Sequence, residues 1–366
     1  MSARTSVSLI GLIAGGNSGI PRYARALTEA LDRVSPEFAD LRLSLVTTEA
    51  GARAVRASNI VVRDFPLRGP RVNSGPGRMA VEQVLAATGR SDLLHFFDLN
   101  GPVLAPWRPF MTTIHDASVM HGLRSAQHSY KRRLWPWALR RARVAVAVSG
   151  FARGEAVRHL GGEAERIRVV YSGPGLMGAR ADGRNGGSGH EPYLLFVGNL
   201  TPSKNLPFLL RAFERAGAPT RLLLVGQPYQ LPSGLREQIE SATRRGRVEV
   251  VPDASDDDID RLYRSATALL LPSRYEGFGF TPLEAMARDC PVLASDIPSL
   301  REISGTGAML LPLDDEAGWA EAIRHIVADE RLRGELRARG ARTVARYSWE
   351  ETARKLCRLF LEVGPR

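Results

Sequence analysis

The chain has 366 residues, 44% of them hydrophobic and 24% charged, a composition that excludes disorder and a length that exceeds a usual single core. No apolar stretch is long enough to span a bilayer as a helix, and two cysteines, Cys290 and Cys357, exclude a disulfide framework or a cysteine metal cluster and fit a reducing cytoplasm. The net charge of +11 is one-sided: residues 1–180 hold 25 Lys and Arg against 13 Asp and Glu, and residues 181–366 hold 25 against 26.

Taken in order, short apolar or β-branched runs fall at 6–13, 42–47, 59–63, 93–97, 110–114, 143–148 and 167–171. The first superficially resembles the core of a signal peptide, but it is short, broken by Ser8 and Gly11, and followed by a glycine loop and an amphipathic helix. A buried first strand is the better reading. Helical patterns lie between the runs at 21–34, 79–87, 127–141 and 151–160. After Tyr171 comes a polar, glycine-rich stretch, and a second series of runs follows at 193–197, 221–225, 247–251, 268–271, 291–294 and 308–311. Strands alternating with helices predict two doubly wound parallel sheets of Rossmann-like type. The expected domains are 1–178 and 191–345, with a linker at 179–190 and a last helix at 346–366 that returns to the first domain.

Several positions are candidates for chemistry. Gly15-Gly16-Asn17-Ser18-Gly19 joins the first strand to the first helix, where backbone amides can approach an anion, although a plain glycine turn fits equally well. His115-Asp116 ends a strand at its carboxyl end; by pattern alone a satisfied turn histidine is the commoner case. Lys204 sits at a helix start, against the dipole, and so expects an anion. His121, His128, His159 and His325 have no comparable context and read as surface or core residues.

Around Glu276-Gly277-Phe278-Gly279-Phe280-Thr281-Pro282-Leu283-Glu284 a strand hands over to a helix through two glycines, bracketed by two carboxylates. Amides suit phosphate and carboxylates suit hydroxyls, so the stretch reads as a site for a phosphorylated sugar. Thr281-x-x-Glu284 also reads as a capping box. Asp256-Asp257-Asp258 after Ser255 is a helix first turn, and no metal site is expected there.

EGFGFTPLEAMA, followed by PVLASDIPSLREISG, resembles the signature of the retaining nucleotide-sugar glycosyltransferases of family four, which have the two-domain GT-B fold with a central cleft. GGNSGIPRYARALTEAL, TTIHD, VAVSGFARGEAVRHLG, FVGNLTPSKNLPFLLRAF and YSWEETARKL match family blocks in family order. The resemblance implies that Glu276 and His115 contact the donor sugar, that Lys204 and the position of Asn199 grip the diphosphate, and that Glu284 accepts the ribose hydroxyls. It further implies that Gly16 and Gly19 cap the phosphates, and that Gly277, Phe278, Gly279, Phe280 and Thr281 line the donor. Relatives often carry a second cation where Asn199 stands; Arg274 is its candidate substitute.

The function expected is therefore a metal-independent, retaining hexosyltransferase without a cofactor. It would use GDP-mannose or a UDP-sugar as donor and a glycan or lipid-linked acceptor in surface polysaccharide assembly, the mannosyltransferases being the nearer likeness. The basic half suits an anionic membrane surface, which would place the enzyme in the cytoplasm, peripheral on the membrane. The helix mixing Tyr130, Trp135 and Trp137 with Lys131, Arg132, Arg133, Arg140 and Arg141 has its pattern interrupted by Pro136 and reads as a packed helix whose basic outer face adds to that attraction. The loop 65–77 has the composition of an acceptor-shaping loop. Rival readings are a nucleotide-sugar epimerase of the same fold, a transferase for a soluble natural product, and a nucleic-acid binder, for which no recognised motif is present.

Overall fold

The computed structural model describes residues 4–11, 19–66, 75–88, 91–101, 108–121, 130–175, 192–227 and 233–365. Gly16, the expected linker 179–190 and most of the loop 65–77 lie outside the described residues. The chain divides into two compact units, residues 1–173 with 347–366, and residues 174–346.

The first unit is built on seven strands: β1 (Thr5–Ile10), β2 (Leu41–Thr48), β3 (Val61–Phe65), β4 (Leu93–Phe96), β5 (Phe110–Ile114), β6 (Val144–Ala147) and β7 (Ile167–Val169). They pair in parallel in the order β3-β2-β1-β4-β5-β6-β7. The apolar runs of β1, β2, β4, β5 and β6 are largely buried because helices cover the faces of a parallel sheet, whereas the edge strand β3 is mostly exposed. These helices are α1 (Gly19–Val34), α2 (Glu49–Arg53), α3 (Gly75–Thr88), α4 (Lys131–Arg141) and α5 (Gly150–Leu160). In α1, Tyr23, Ala24, Leu27, Ala30, Leu31 and Val34 recur at three- and four-residue spacing and are all buried, so one stripe of the helix faces the sheet. Pro136 lies inside α4 rather than ending it.

Six parallel strands form the second sheet, β8 (Tyr193–Val197), β9 (Arg221–Val225), β10 (Val248–Val251), β11 (Ala268–Leu271), β12 (Val292–Ser295) and β13 (Met309–Leu311), in the order β10-β9-β8-β11-β12-β13. Its helices are α6 (Leu206–Ala216), α7 (Ser233–Arg244), α8 (Asp256–Ser265), α9 (Phe280–Met286), α10 (Pro298–Ser304), α11 (Glu316–Ala328) and α12 (Glu330–Val344). Trp319 of α11 is fully buried against Phe208 of α6, with ring centroids 5.7 Å apart. The three aspartates open α8, where Ser255 and Asp258 form a reciprocal capping box.

The final helix, α13 (Trp349–Val363), belongs to the first unit and lies on α1. Arg33 pairs with Glu350 at 2.7 Å and Arg354 with Glu37 at 2.8 Å, but these side chains are roughly half exposed and such pairs contribute little. Docking is carried by buried Trp349, Ala353, Leu356, Cys357 and Phe360. A fully buried large apolar side chain is worth about 1.5–3 kcal/mol. Among the described residues thirteen strands stand where thirteen apolar runs were read, and the doubly wound parallel class holds for both sheets.

Candidate active site

In the second sheet the strand order reverses between β8 and β11, which are neighbours although β9 and β10 intervene in sequence. Loops leaving such a switch point diverge and open a crevice beyond the strand ends. The two loops here hold the candidate cation and the first candidate glutamate.

After β8 the chain passes Gly198 and exposed Asn199, makes one tight turn over Pro202–Lys204, and enters α6 through Asn205 in the left-handed region at φ 56°. After β11 it passes Pro272 and buried Ser273 to exposed Arg274 and half-buried Glu276. The Arg274 amide donates to the Ser203 carbonyl at 2.8 Å, stitching one loop to the other. Lys204 Nζ then stands 2.5 Å from Glu276 Oε1, and Ser273 Oγ donates to the same oxygen at 2.7 Å. The two charged side chains are 17% and 16% exposed, so the pair is shielded enough to matter electrostatically yet reachable by a ligand. Ser273 is itself held through its carbonyl, which accepts from Ser295 Oγ at 2.5 Å. The end of β9 contributes by being small: Gly226 has φ 144°, and a Cβ there would lie 2.1 Å from the Gly198 carbonyl oxygen. Only glycine lets the two strand ends approach so closely.

The second glutamate is placed differently from the sequence reading. Gly279, at φ 103°, is the N-cap of α9, so the helix starts at Phe280 and Thr281 is already its second residue. The expected capping box of Thr281 and Glu284 is therefore not formed. The left-handed glycine turns the chain two residues early and puts Glu284 at the fifth helical position. Its side chain is buried, Oε2 accepts from the Tyr263 hydroxyl at 3.2 Å, and a Cβ built on Gly175 would come within 2.2 Å of Oε1. Phe278 and Phe280 flank the glycine with ring centroids 5.0 Å apart. Tyr263, Ser273 and Gly175 were not singled out in the sequence, because each acts through a contact that crosses between elements.

His115 and Gly19 belong to the other unit. Gly19 opens α1 and is exposed. His115 follows β5, and its Nε2 stands 2.7 Å from the Phe97 carbonyl oxygen, so Nε2 holds the proton and Nδ1 is the acceptor. The hydrogen bond that fixes this tautomer thus goes to a main-chain carbonyl, while the neighbouring Asp116 Oδ1 accepts from the Ser118 amide and hydroxyl at 2.9 and 2.6 Å. Tyr23 meets the imidazole edge-on at 4.6 Å, and burial pushes its phenol up to about 12.

On α4, Trp135 is buried and donates to Asn100 Oδ1 at 3.1 Å, while Arg132, Arg133, Arg140 and Arg141 are exposed. The helix is thus packed on one side and basic on the other. No described helix is long and apolar enough to cross a membrane.

Two parallel doubly wound sheets are the architecture of the GT-B fold. Among solved structures, sucrose-phosphate synthase from Thermosynechococcus elongatus matches with a TM-score of 0.75 at 23% identity, covering 98% of this chain and 99% of that one. HepE of Anabaena, solved with UDP and glucose, matches with a TM-score of 0.72 at 19% identity, covering 98% and 100%. Residues 17–174 match the model of Glycosyltransferase Family 4 and residues 181–343 that of Glycosyl transferases group 1, and the chain belongs to this family. Curated relatives include O-antigen chain mannosyltransferase B of Escherichia coli, 28% identical over 66% of this chain and 67% of that one. Phosphatidyl-myo-inositol mannosyltransferase of Mycolicibacterium smegmatis is 28% identical over 80% and 77%. For the first six curated relatives, the matched share is 42–67% of their own length.

Proposed function

We propose that this glycosyltransferase is a retaining hexosyltransferase that moves a sugar from a nucleoside diphosphate to a glycan or lipid-linked acceptor at the cytoplasmic face of a membrane, in the assembly of a surface polysaccharide. The observation that carries the reading is the Lys204–Glu276 pair at the switch point of the second sheet. A cation and a carboxylate side by side match the two ends of the reacting bond, a diphosphate that gains negative charge and a sugar carbon that becomes cation-like. In this reading Lys204 takes the diphosphate and Glu276 the sugar hydroxyls. Buried Glu284, set against Gly175 and Tyr263, takes the ribose hydroxyls, and His115 meets the donor sugar.

None of these side chains is assigned the part of a covalent nucleophile. The bond from the anomeric carbon to the diphosphate breaks as the bond to the acceptor oxygen forms on the same face. The acceptor proton passes to the departing phosphate oxygen. Charge is met by Lys204 and backbone amides, with no divalent ion assigned to the step. The names of the mannosyltransferase relatives favour a mannosyl donor, and the UDP and glucose bound to HepE keep UDP-sugars in view.

Thermal-shift and calorimetric screening against GDP, UDP and their hexoses tests the donor, because a ligand that binds the folded state stabilises it by mass action. Stabilisation by one nucleoside diphosphate, followed by glycosylated product with the donor's anomeric configuration in a chelator-containing buffer, is the expected result. Failure of every nucleoside diphosphate to bind overturns the reading. An epimerised donor in acceptor-free incubations would replace it with the epimerase.

A further inference from the structure

We infer that His121, Glu155 and His159 form a divalent-metal site, suited to zinc, that ties the turn after β5 to helix α5. Nothing in the transfer chemistry uses these residues, and the sequence reading left both histidines as surface or core. His121 ends the short turn Ser118–His121. Glu155 and His159 stand four residues apart on α5, hence on one face. One ligand atom from each of the three lies within 4.8 Å of the others.

The geometry is that of a site one small movement from closure. His121 Nε2 bonds Glu155 Oε2, His159 Nε2 is 3.6 Å from Glu155 Oε1, and the two imidazole rings meet at 74° with centroids 4.8 Å apart. Tetrahedral zinc with bonds of about 2.0–2.1 Å needs ligand atoms about 3.3 Å from one another. The ligand atoms, all within 4.8 Å of one another, stand within about 1.5 Å of that spacing. The burial favours it: the Glu155 side chain is 5% exposed and fixed on its helix, whereas the imidazoles are 34% and 37% exposed and can turn.

The donor set also selects the ion. Two imidazoles and one carboxylate suit zinc and its neighbours in the transition series, and are too nitrogen-rich for calcium or magnesium. Three protein ligands leave one position for water. Arg158 Nη1, 3.4 Å from Glu155 Oε1, is the cation that must give way; its side chain is 69% exposed and free to swing into solvent. A buried carboxylate that gathers two imidazoles and an arginine is under-neutralised without them, and one divalent ion supplies in a single contact what these partners share.

The test uses the full chain without a histidine tag, stripped with chelator and titrated at neutral pH with zinc alone, since zinc takes its imidazole ligands in the neutral form. One zinc per chain, a raised melting temperature, and visible d–d absorption on substitution with cobalt are expected. Affinity should fall by about tenfold or more in His121→Ala and in His159→Ala, since losing even an outer partner of a metal ligand costs that much. His325→Ala, which removes an exposed imidazole near Glu321 on α11, should leave binding unchanged. No stoichiometric zinc binding by the wild type overturns the inference, as does binding that both variants retain.

Discussion

Lys204 Nζ and Glu276 Oε1 lie 2.5 Å apart, so the cation assigned to the diphosphate and the carboxylate assigned to the sugar are each other's partners in this structure. In the proposed reading donor binding would exchange partners: the diphosphate would take Lys204, and Glu276, held by Ser273 Oγ at 2.7 Å, would turn to the sugar, so that one ion pair would link the two ends of the donor.

With Lys204 on the diphosphate as proposed, Lys204→Ala should weaken binding of the nucleoside diphosphate by about 1.5–3 kcal/mol, the cost of one charge-assisted contact. Calorimetry on the purified variant reads this directly. Unchanged affinity removes Lys204 from the phosphate site.

The two glutamates should fail differently. Glu276→Gln keeps shape but loses the charge beside the cation-like sugar, so kcat should fall steeply while nucleoside diphosphate affinity holds or rises, since Lys204 no longer has a counterion to give up. Glu284→Gln should raise the donor KM more than it lowers kcat. Tyr263→Phe, which removes the hydrogen bond to Glu284 Oε2, should show a milder form of the Glu284 defect, with a stability loss of about 0.5–1.5 kcal/mol. Identical kinetic defects in the two glutamate variants would sink this division of labour.

His95 supplies a pH dependence of stability. It is fully buried on β4, with Nε2 3.3 Å from Thr113 Oγ1 and Nδ1 lacking a hydrogen-bond partner among the described residues. Desolvation, reinforced by nearby His115, pushes its pKa down to about 3. The unfolded chain takes this proton near about 6.5, so between the two values the unfolded state binds more protons and stability rises with pH. The contribution is full above the unfolded value and is lost as pH falls towards the folded one, each unit of depression being worth about 1.4 kcal/mol. Denaturant unfolding measured between neutrality and pH of about 5, above most carboxylate titrations, should show this slope, and His95→Asn should flatten it. An unchanged slope in the variant refutes the assignment.

Membrane docking by the basic face of α4 predicts binding to vesicles that rises with anionic lipid and falls with salt. Arg133→Glu with Arg140→Glu, both on the exposed side of the helix, should weaken that binding by about 1 kcal/mol or more per site and leave donor affinity intact. Equal partition of wild type and variant onto such vesicles would point to a soluble acceptor.

The elements and the family were legible in the residues alone, because strands buried on both faces must be apolar throughout and the loops between them must be punctuated by glycine and proline. The sequence also marked Lys204, Glu276 and Glu284, since residues a few positions apart at a strand-to-helix junction are placed by local geometry. Tertiary structure alone decided partners. Lys204 and Glu276 meet only because β8 and β11 are adjacent across a reversal of strand order, and Glu284 abandons the expected cap for Tyr263 because Gly279 starts the helix early. His121 reaches Glu155 from 34 residues away, although the four-residue spacing of Glu155 and His159 was there to be read on α5. Contacts of that range depend on how the sheet orders its strands, which no local pattern of hydrophobicity encodes.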